Sequence, residues 1–209
     1  MANTKWIPDS WEVCEHPLEP HIEPGSTKLI IGTFPTRQVN YRNTFKFYYA
    51  GEQNRFWEVI TEVFKPDFKN FKGEEAVRER KDFFSKNKIG ITDMVRKCWR
   101  RNDSSLDENL YPIILTDVFK ILREVSSINT LVLTSRTKVL GALGLLETYF
   151  IQQGLILGAI EKGIDRIWKT KFDFEGRSIK VLIPYSTSPT NTHGTMPKLI
   201  EMYKTCFKE

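Results

Sequence analysis

Residues 28–57 read K-L-I-I-G-T-F-P-T-R-Q-V-N-Y-R-N-T-F-K-F-Y-Y-A-G-E-Q-N-R-F-W. Leu29, Ile30 and Ile31 form a short unbroken apolar run, the pattern of a parallel strand buried on both faces. Gly32 lets another group approach the backbone, and Pro35 stops the strand. A polar and aromatic loop follows. Asn54 then opens a segment in which Phe56, Ile60, Val63 and Phe64 recur at helical spacing, and Asn is a good N-cap. The unit is strand, elaborate loop, helix. In open α/β sheets the ligand sits outside the carboxyl ends of the strands, where this loop emerges.

Outward from this stretch, Lys88 to Ile91 reads as a second strand with an exit loop through Asp93, and Thr130 to Thr134 as a third. Trp168 to Phe174 and Ile179 to Pro184 read as a β-hairpin turning at Glu175-Gly176 and supplying a fourth parallel strand. Helices are expected from Glu74 to Lys86, where Val77, Phe83 and Phe84 face inward, from about Leu106 to Val125 with Pro112 delaying or kinking its start, from Thr137 to Gln153, and from about Pro197 onward. Residues 1–27, punctuated by Pro8, Pro17, Pro20 and Pro24, read as an extended lead-in on which Trp6, Ile7 and Trp11 pack against the body. The expected fold class is α/β: parallel strands at 28–33, 88–91, 130–134 and 179–184, wrapped by helices, with an added hairpin strand and with loops 34–54, 92–105 and 184–196 on one rim.

A chain of 209 residues with 40% hydrophobic content fits one domain over residues 1–209 with a sizeable core. The formal net charge of +5 is compatible with a polyanionic partner. Cys14, Cys98 and Cys206 are far apart and odd in number, which argues against a disulfide framework, a zinc site and an iron–sulfur cluster. The N-terminal segment lacks an apolar signal core, and no run reaches membrane-span length. The reading is an intracellular, cytoplasmic, soluble monomer without metal or cofactor.

There is no nucleophile elbow, P-loop, dinucleotide fingerprint or metalloprotease helix. The candidate residues are Tyr48, Tyr49 and Asn54 in the first loop, Asp93 in the next, and Ser186, Ser188 and Asn191 in the last. Each has a structural alternative: Asn54 as an N-cap, Tyr49 as a core aromatic, Asp93 as a turn former. Together, polar loops on one rim with aromatics and the basic residues Arg96, Lys97, Arg100 and Arg101 suggest stacking on a base and gripping of phosphates.

Gly32-Thr33-Phe34-Pro35, Tyr48-Tyr49-Ala50 and Asn54-Arg55-Phe56-Trp57 together resemble the first motif of the uracil-DNA glycosylase superfamily. The likeness is nearest to its mismatch-specific (thymine/uracil) and hypoxanthine branches. Gly90 to Val95 is similar to the middle segment of the mismatch-specific branch, and Ile183 to Asn191 to the last motif. The resemblance implies a three-layer α/β/α sandwich around a four-stranded parallel sheet, and a monofunctional DNA glycosylase of base-excision repair. Such an enzyme flips a uracil, mismatched thymine, hypoxanthine or xanthine out of DNA and hydrolyses its glycosidic bond. It further implies base contacts from Gly32, Thr33, Phe34, Tyr49, Asp93 and Asn191. Phosphate and DNA contacts would come from Ser186, Ser188, His193 and Met196 together with the basic residues. Mismatch-specific members carry a water-positioning Asn between the Gly and Pro of the first motif, and uracil-specific members an Asp near there. This chain has Phe34 at that place, which leaves Asn54 to orient the water. Tyr185 is an extra residue in the last motif. The alternative is a protein on the same fold that binds nucleic acid or a nucleotide without catalysis.

Overall fold

The computed structural model of the chain describes residues 10–37, 44–102, 104 and 106–208. In chain order, β1 (Trp11–Glu15) is followed by β2 (Lys28–Gly32), α1 (Phe56–Phe64), α2 (Gly73–Lys86), β3 (Ile89–Asp93), β4 (Val95–Arg101), a 3-10 turn at Asp107–Asn109 and β5 (Leu110–Leu115). Then come α3 (Val118–Glu124), β6 (Thr130–Leu133), α4 (Ala142–Gln152), β7 (Glu161–Lys162), β8 (Trp168–Phe174), β9 (Arg177–Ile183) and α5 (Met196–Lys208). Trp6 and Ile7, and residues 38–43, 103 and 105 of the expected rim loops, lie outside the described residues.

The chain is a mixed α/β protein built on a six-stranded sheet of order β3-β2-β6-β9-β8-β7. Strands β3, β2, β6 and β9 pair in parallel, and β8 and β7 extend the sheet antiparallel. The strands expected from the apolar runs are therefore neighbours, and the hairpin at Glu175-Gly176 is present with both turn residues at positive φ. Alternation within the parallel strands serves two apolar layers. Leu29, Ile31, Leu131, Leu133, Val181 and Ile183 pack with α3 and α4. Ile30, Val132, Ile89 and Ile91 pack with α1, α2 and α5. The outer edge of β3 is covered by the lead-in, where His21 and Ile91 exchange backbone hydrogen bonds of 3.0 and 2.9 Å. That contact blunts an otherwise open edge. Among the described residues no helix is long and apolar enough to cross a membrane.

A second, three-stranded antiparallel sheet of order β1-β4-β5 was not expected. The helix anticipated from Leu106 to Val125 is instead the 3-10 turn, β5 and the short α3. Pro112 has no N–H to donate and sits in an edge strand, where that is tolerated, and Tyr111, Ile113 and Ile114 suit a pleated strand. Arg96 to Arg101 form strand β4 rather than an exit loop. Part of the lead-in is likewise a strand, which places Cys14 opposite Cys98 as free thiols. Burial pushes both thiols up, Cys98 to about 11.

Helix α4 starts at Ala142, later than expected, because the backbone of Lys138 crosses its first turn. A Cβ on Gly144 would lie 2.1 Å from Lys138 O, so Gly144 is a close-approach residue. In α2, Phe83 and Phe84 are buried as expected, but so is Arg80, whose guanidinium stacks against Phe45, Trp57 and Phe68.

Candidate active site

A cleft of about 710 Å³ opens at the carboxyl ends of the parallel strands. It is walled by the segments leaving β2, β3, β6 and β9 and by the tip between β4 and β5. Of the residues singled out in sequence, Thr33, Phe34, Tyr48, Tyr49, Asn54, Asp93, Tyr185, Ser186, Ser188, Asn191 and His193 line it.

The floor is a tight arrangement around Gly32. A Cβ there would lie 2.1 Å from Asp93 Oδ1 and 2.4 Å from the Tyr49 hydroxyl, so glycine is what lets both groups reach the strand end. Asp93 is held from behind by His16, with 2.9 Å between Oδ2 and Nε2, in an almost fully buried pair. The other nitrogen of His16 lies 2.6 Å from Leu18 O. Tyr49 stacks on Phe56 at 4.3 Å between ring centroids, and its hydroxyl shares a 2.8 Å hydrogen bond with Thr134. Burial and the neighbouring Asp93 raise the Tyr49 phenol well above its ordinary value, so it stays protonated. Its φ of 57° is uncommon for a bulky residue, and such strain concentrates at functional sites.

Asn54 has a partly structural role, although the N-cap of α1 is Arg55 and Asn54 stands one residue before it. Its Oδ1 accepts from Phe56 N at 3.0 Å and from the Thr187 hydroxyl at 2.8 Å. Among the described residues its Nδ2 has no hydrogen-bond partner, and the residue lines the cleft. Asn191 is held within its own loop: Nδ2 donates to Ser186 O and Oδ1 accepts from His193 N. One N–H and one oxygen lone pair of the Asn191 amide remain beyond these two bonds, and the residue lines the cleft. The Ser188 hydroxyl pairs with Thr190, and the Ser186 hydroxyl accepts from Ser188 N. Arg55 clamps the whole loop by donating to the carbonyls of Gly194, Ser188 and Asn191. Met196 packs into the apolar layer at the start of α5 instead of lining the cleft.

The basic residues do not form one patch. Arg100 is buried, donates to Pro35 O at 2.8 Å and lies over the Phe34 ring. Arg96 donates to Leu18 O, Lys97 pairs with Glu15, and Arg101 is exposed. The alternation of a strand sends neighbours to opposite faces. Among the described residues the cations lining the cleft are instead Arg136 and Lys162. Arg136 is held over the rings of Tyr185 and Trp168, which gives the extra Tyr185 a packing role.

His16, Thr134, Arg136 and Asp107 were not singled out in the sequence. Thr134 and Arg136 follow β6, and the rule that ligands sit beyond strand ends applies to that strand as well. Asp107 belongs to the 3-10 turn and accepts from the Thr33 hydroxyl at 3.1 Å. Burial first, and then the charge of Asp93, push its carboxyl up to about 6, against the opposing Thr33 hydrogen bond.

A carboxyl whose folded pKa exceeds its unfolded value contributes stability that is complete below 3.8 and lost as pH rises through about 6. Asp107→Asn is therefore expected to stabilise the protein by about 2 kcal/mol near pH 8 and by little near pH 4. Denaturant titrations at the two pH values check this, and an equal effect at both would refute the burial account. Compared with known proteins, the chain matches no protein-family model and no curated protein.

Proposed function

We propose that the chain is a monofunctional DNA glycosylase that hydrolyses the N-glycosidic bond of a flipped, deaminated or mismatched base. The observation that carries this reading is convergence. Segments resembling the motifs of one superfamily, at 32–35, 48–57, 90–95 and 183–191, meet in a single cleft at the carboxyl ends of parallel strands. The two apolar layers on either side of the sheet support a three-layer α/β/α sandwich.

On this reading the base enters against Tyr49 and Phe34, with Asp93 accepting from a ring N–H. Asp93 is fixed for that task by His16. The loop clamped by Arg55 meets the backbone of the flipped nucleotide, and Asn54 orients the water through its Nδ2. Rate comes from positioning and from stabilising the departing anionic base. A second reading, binding of nucleic acid or a nucleotide without turnover, is favoured by the internal engagement of Asn191 and of the Asn54 oxygen.

Duplexes carrying uracil, mismatched thymine, hypoxanthine or xanthine, followed by alkaline cleavage of abasic sites, test the proposal. Turnover on at least one is expected; binding without cleavage on all of them selects the second reading.

Tyr49→Ala is expected to weaken discrimination of lesion duplex over undamaged duplex by about 1–3 kcal/mol, the size of a base–aromatic stack. Tyr49→Phe should keep the discrimination and lose about 1 kcal/mol of stability with the Thr134 bond. Equilibrium binding to both duplexes separates these effects, and unchanged discrimination in Tyr49→Ala would remove the stacking role.

A further inference from the structure

We infer that Asp107 is the general base of the reaction, taking the proton from the water that attacks the sugar. The inference rests on the glycosylase reading. Phe34, which follows Thr33 beyond the end of β2, has no polar group to hold a water. The 3-10 turn brings a carboxylate to that same corner from 74 residues away. It is seated by the hydroxyl of Thr33, the residue just before Phe34. The turn is itself fixed, with Ser104 Oγ accepting from Leu106 N and from Asn109 Nδ2. Among the described residues Asp107 Oδ1 has no hydrogen-bond partner, and the residue lines the same cleft as Asn54 and Tyr49.

Asp93 is the less suitable base, because its Oδ2 is bound to His16 and its Oδ1 is the oxygen left to accept from the flipped base. A carboxylate half-hidden beside another acid destabilises the fold at neutral pH. Such a burden is kept where function needs the group. A base is most effective when its pKa lies just below the working pH.

In the step, an O–H bond of the water breaks and its proton moves to Asp107. The oxygen bonds to C1′ while the bond from C1′ to the base nitrogen breaks, and that electron pair leaves with the base. The anionic base takes a proton from solvent on release, and Asp107 returns its own to solvent.

The groups that share the environment of Asp107 are Asp93 with His16 behind it, the Tyr49 phenol, and Glu108 on the same turn. Arg136, Lys162 and His193 line the same cleft. Bound phosphates add negative charge, so the ionisation seen in the complex falls at or above 6.

The test is single-turnover excision by the full chain across pH, using whichever lesion duplex the wild type cleaves. The wild-type rate is expected to rise with pH through one ionisation at or above 6. Asp107→Asn should lower the plateau about 100-fold or more, the scale of general-base catalysis, and abolish that limb while duplex affinity stays within a factor of about three. Asp107→Glu should restore part of the rate and the limb. An active wild type whose Asp107→Asn variant keeps both rate and limb overturns the inference alone. So does a wild-type rate that falls through this ionisation, since that marks an acid and not a base. A wild type that excises no base removes the glycosylase reading and the inference together.

Discussion

Asn54→Ala is expected to cut the single-turnover excision rate about 100-fold or more, on the scale of losing a positioned polar group in a catalytic site. Duplex affinity should barely move. The same substitution should also destabilise the fold, because Oδ1 accepts from Phe56 N and from Thr187, whose hydroxyl is almost fully buried. Losing the acceptor for Phe56 N at the start of α1 costs about 1 kcal/mol, and leaving a buried hydroxyl unpartnered adds about as much again. A lower melting temperature is therefore common to the catalytic and the purely structural account, so the rate must be measured where the variant is folded.

Asn54→Asp separates the two accounts. A carboxylate oxygen keeps both accepted hydrogen bonds and suits the first turn of a helix, so stability should return to within about 1 kcal/mol of wild type. Its second oxygen replaces the amide nitrogen and can still hold a water as an acceptor, so the rate should stay within about tenfold of wild type. An Asn54→Ala variant that is destabilised yet fully active per folded molecule would leave Asn54 as a structural residue and place the water on Asp107 alone.

The parallel sheet was legible because its strands are short apolar runs bounded by residues that cannot continue them, as Gly32 and Pro184 bound the first and last. The antiparallel sheet was not. Leu110 to Val125 keeps apolar residues at helical spacing, and no Gly or Asn marks the break between β5 and α3. The basic cluster misled for the same reason, since a run of cations reads as a solvated turn until a partner strand is known. In the site, loop residues next to strand ends were legible, whereas the groups that orient them were not. His16 reaches Asp93 across 77 residues, and the Asp107 contact likewise depends on a fold no local pattern encodes. Arg136 was the avoidable omission, since it directly follows a strand that had been recognised.

Gly32→Ala is expected to destabilise the protein by about 3 kcal/mol, the upper range for overpacking a filled core, and to abolish base recognition. The added methyl would lie within 2.4 Å of the Tyr49 hydroxyl and 2.1 Å of Asp93 Oδ1. Both are ends of side chains, and free ends could swing aside. These are not free: Tyr49 is stacked on Phe56 and bonded to Thr134, and Asp93 is bonded to buried His16. Relief must therefore break one of these bonds or push β2 away from β3, whose register pairs Gly32 with Asp93. The Tyr49 hydroxyl can be removed without disturbing its ring. In the double variant Gly32→Ala/Tyr49→Phe one of the two clashes is gone, so its loss of stability should fall short of the sum of the single losses by about 1 kcal/mol. Rescue stays partial because Asp93 remains in the way, and base discrimination should not recover. Strict additivity in denaturant titrations of all three variants would mean that the floor relaxes without meeting Tyr49, and the packing account of this strand end would fail.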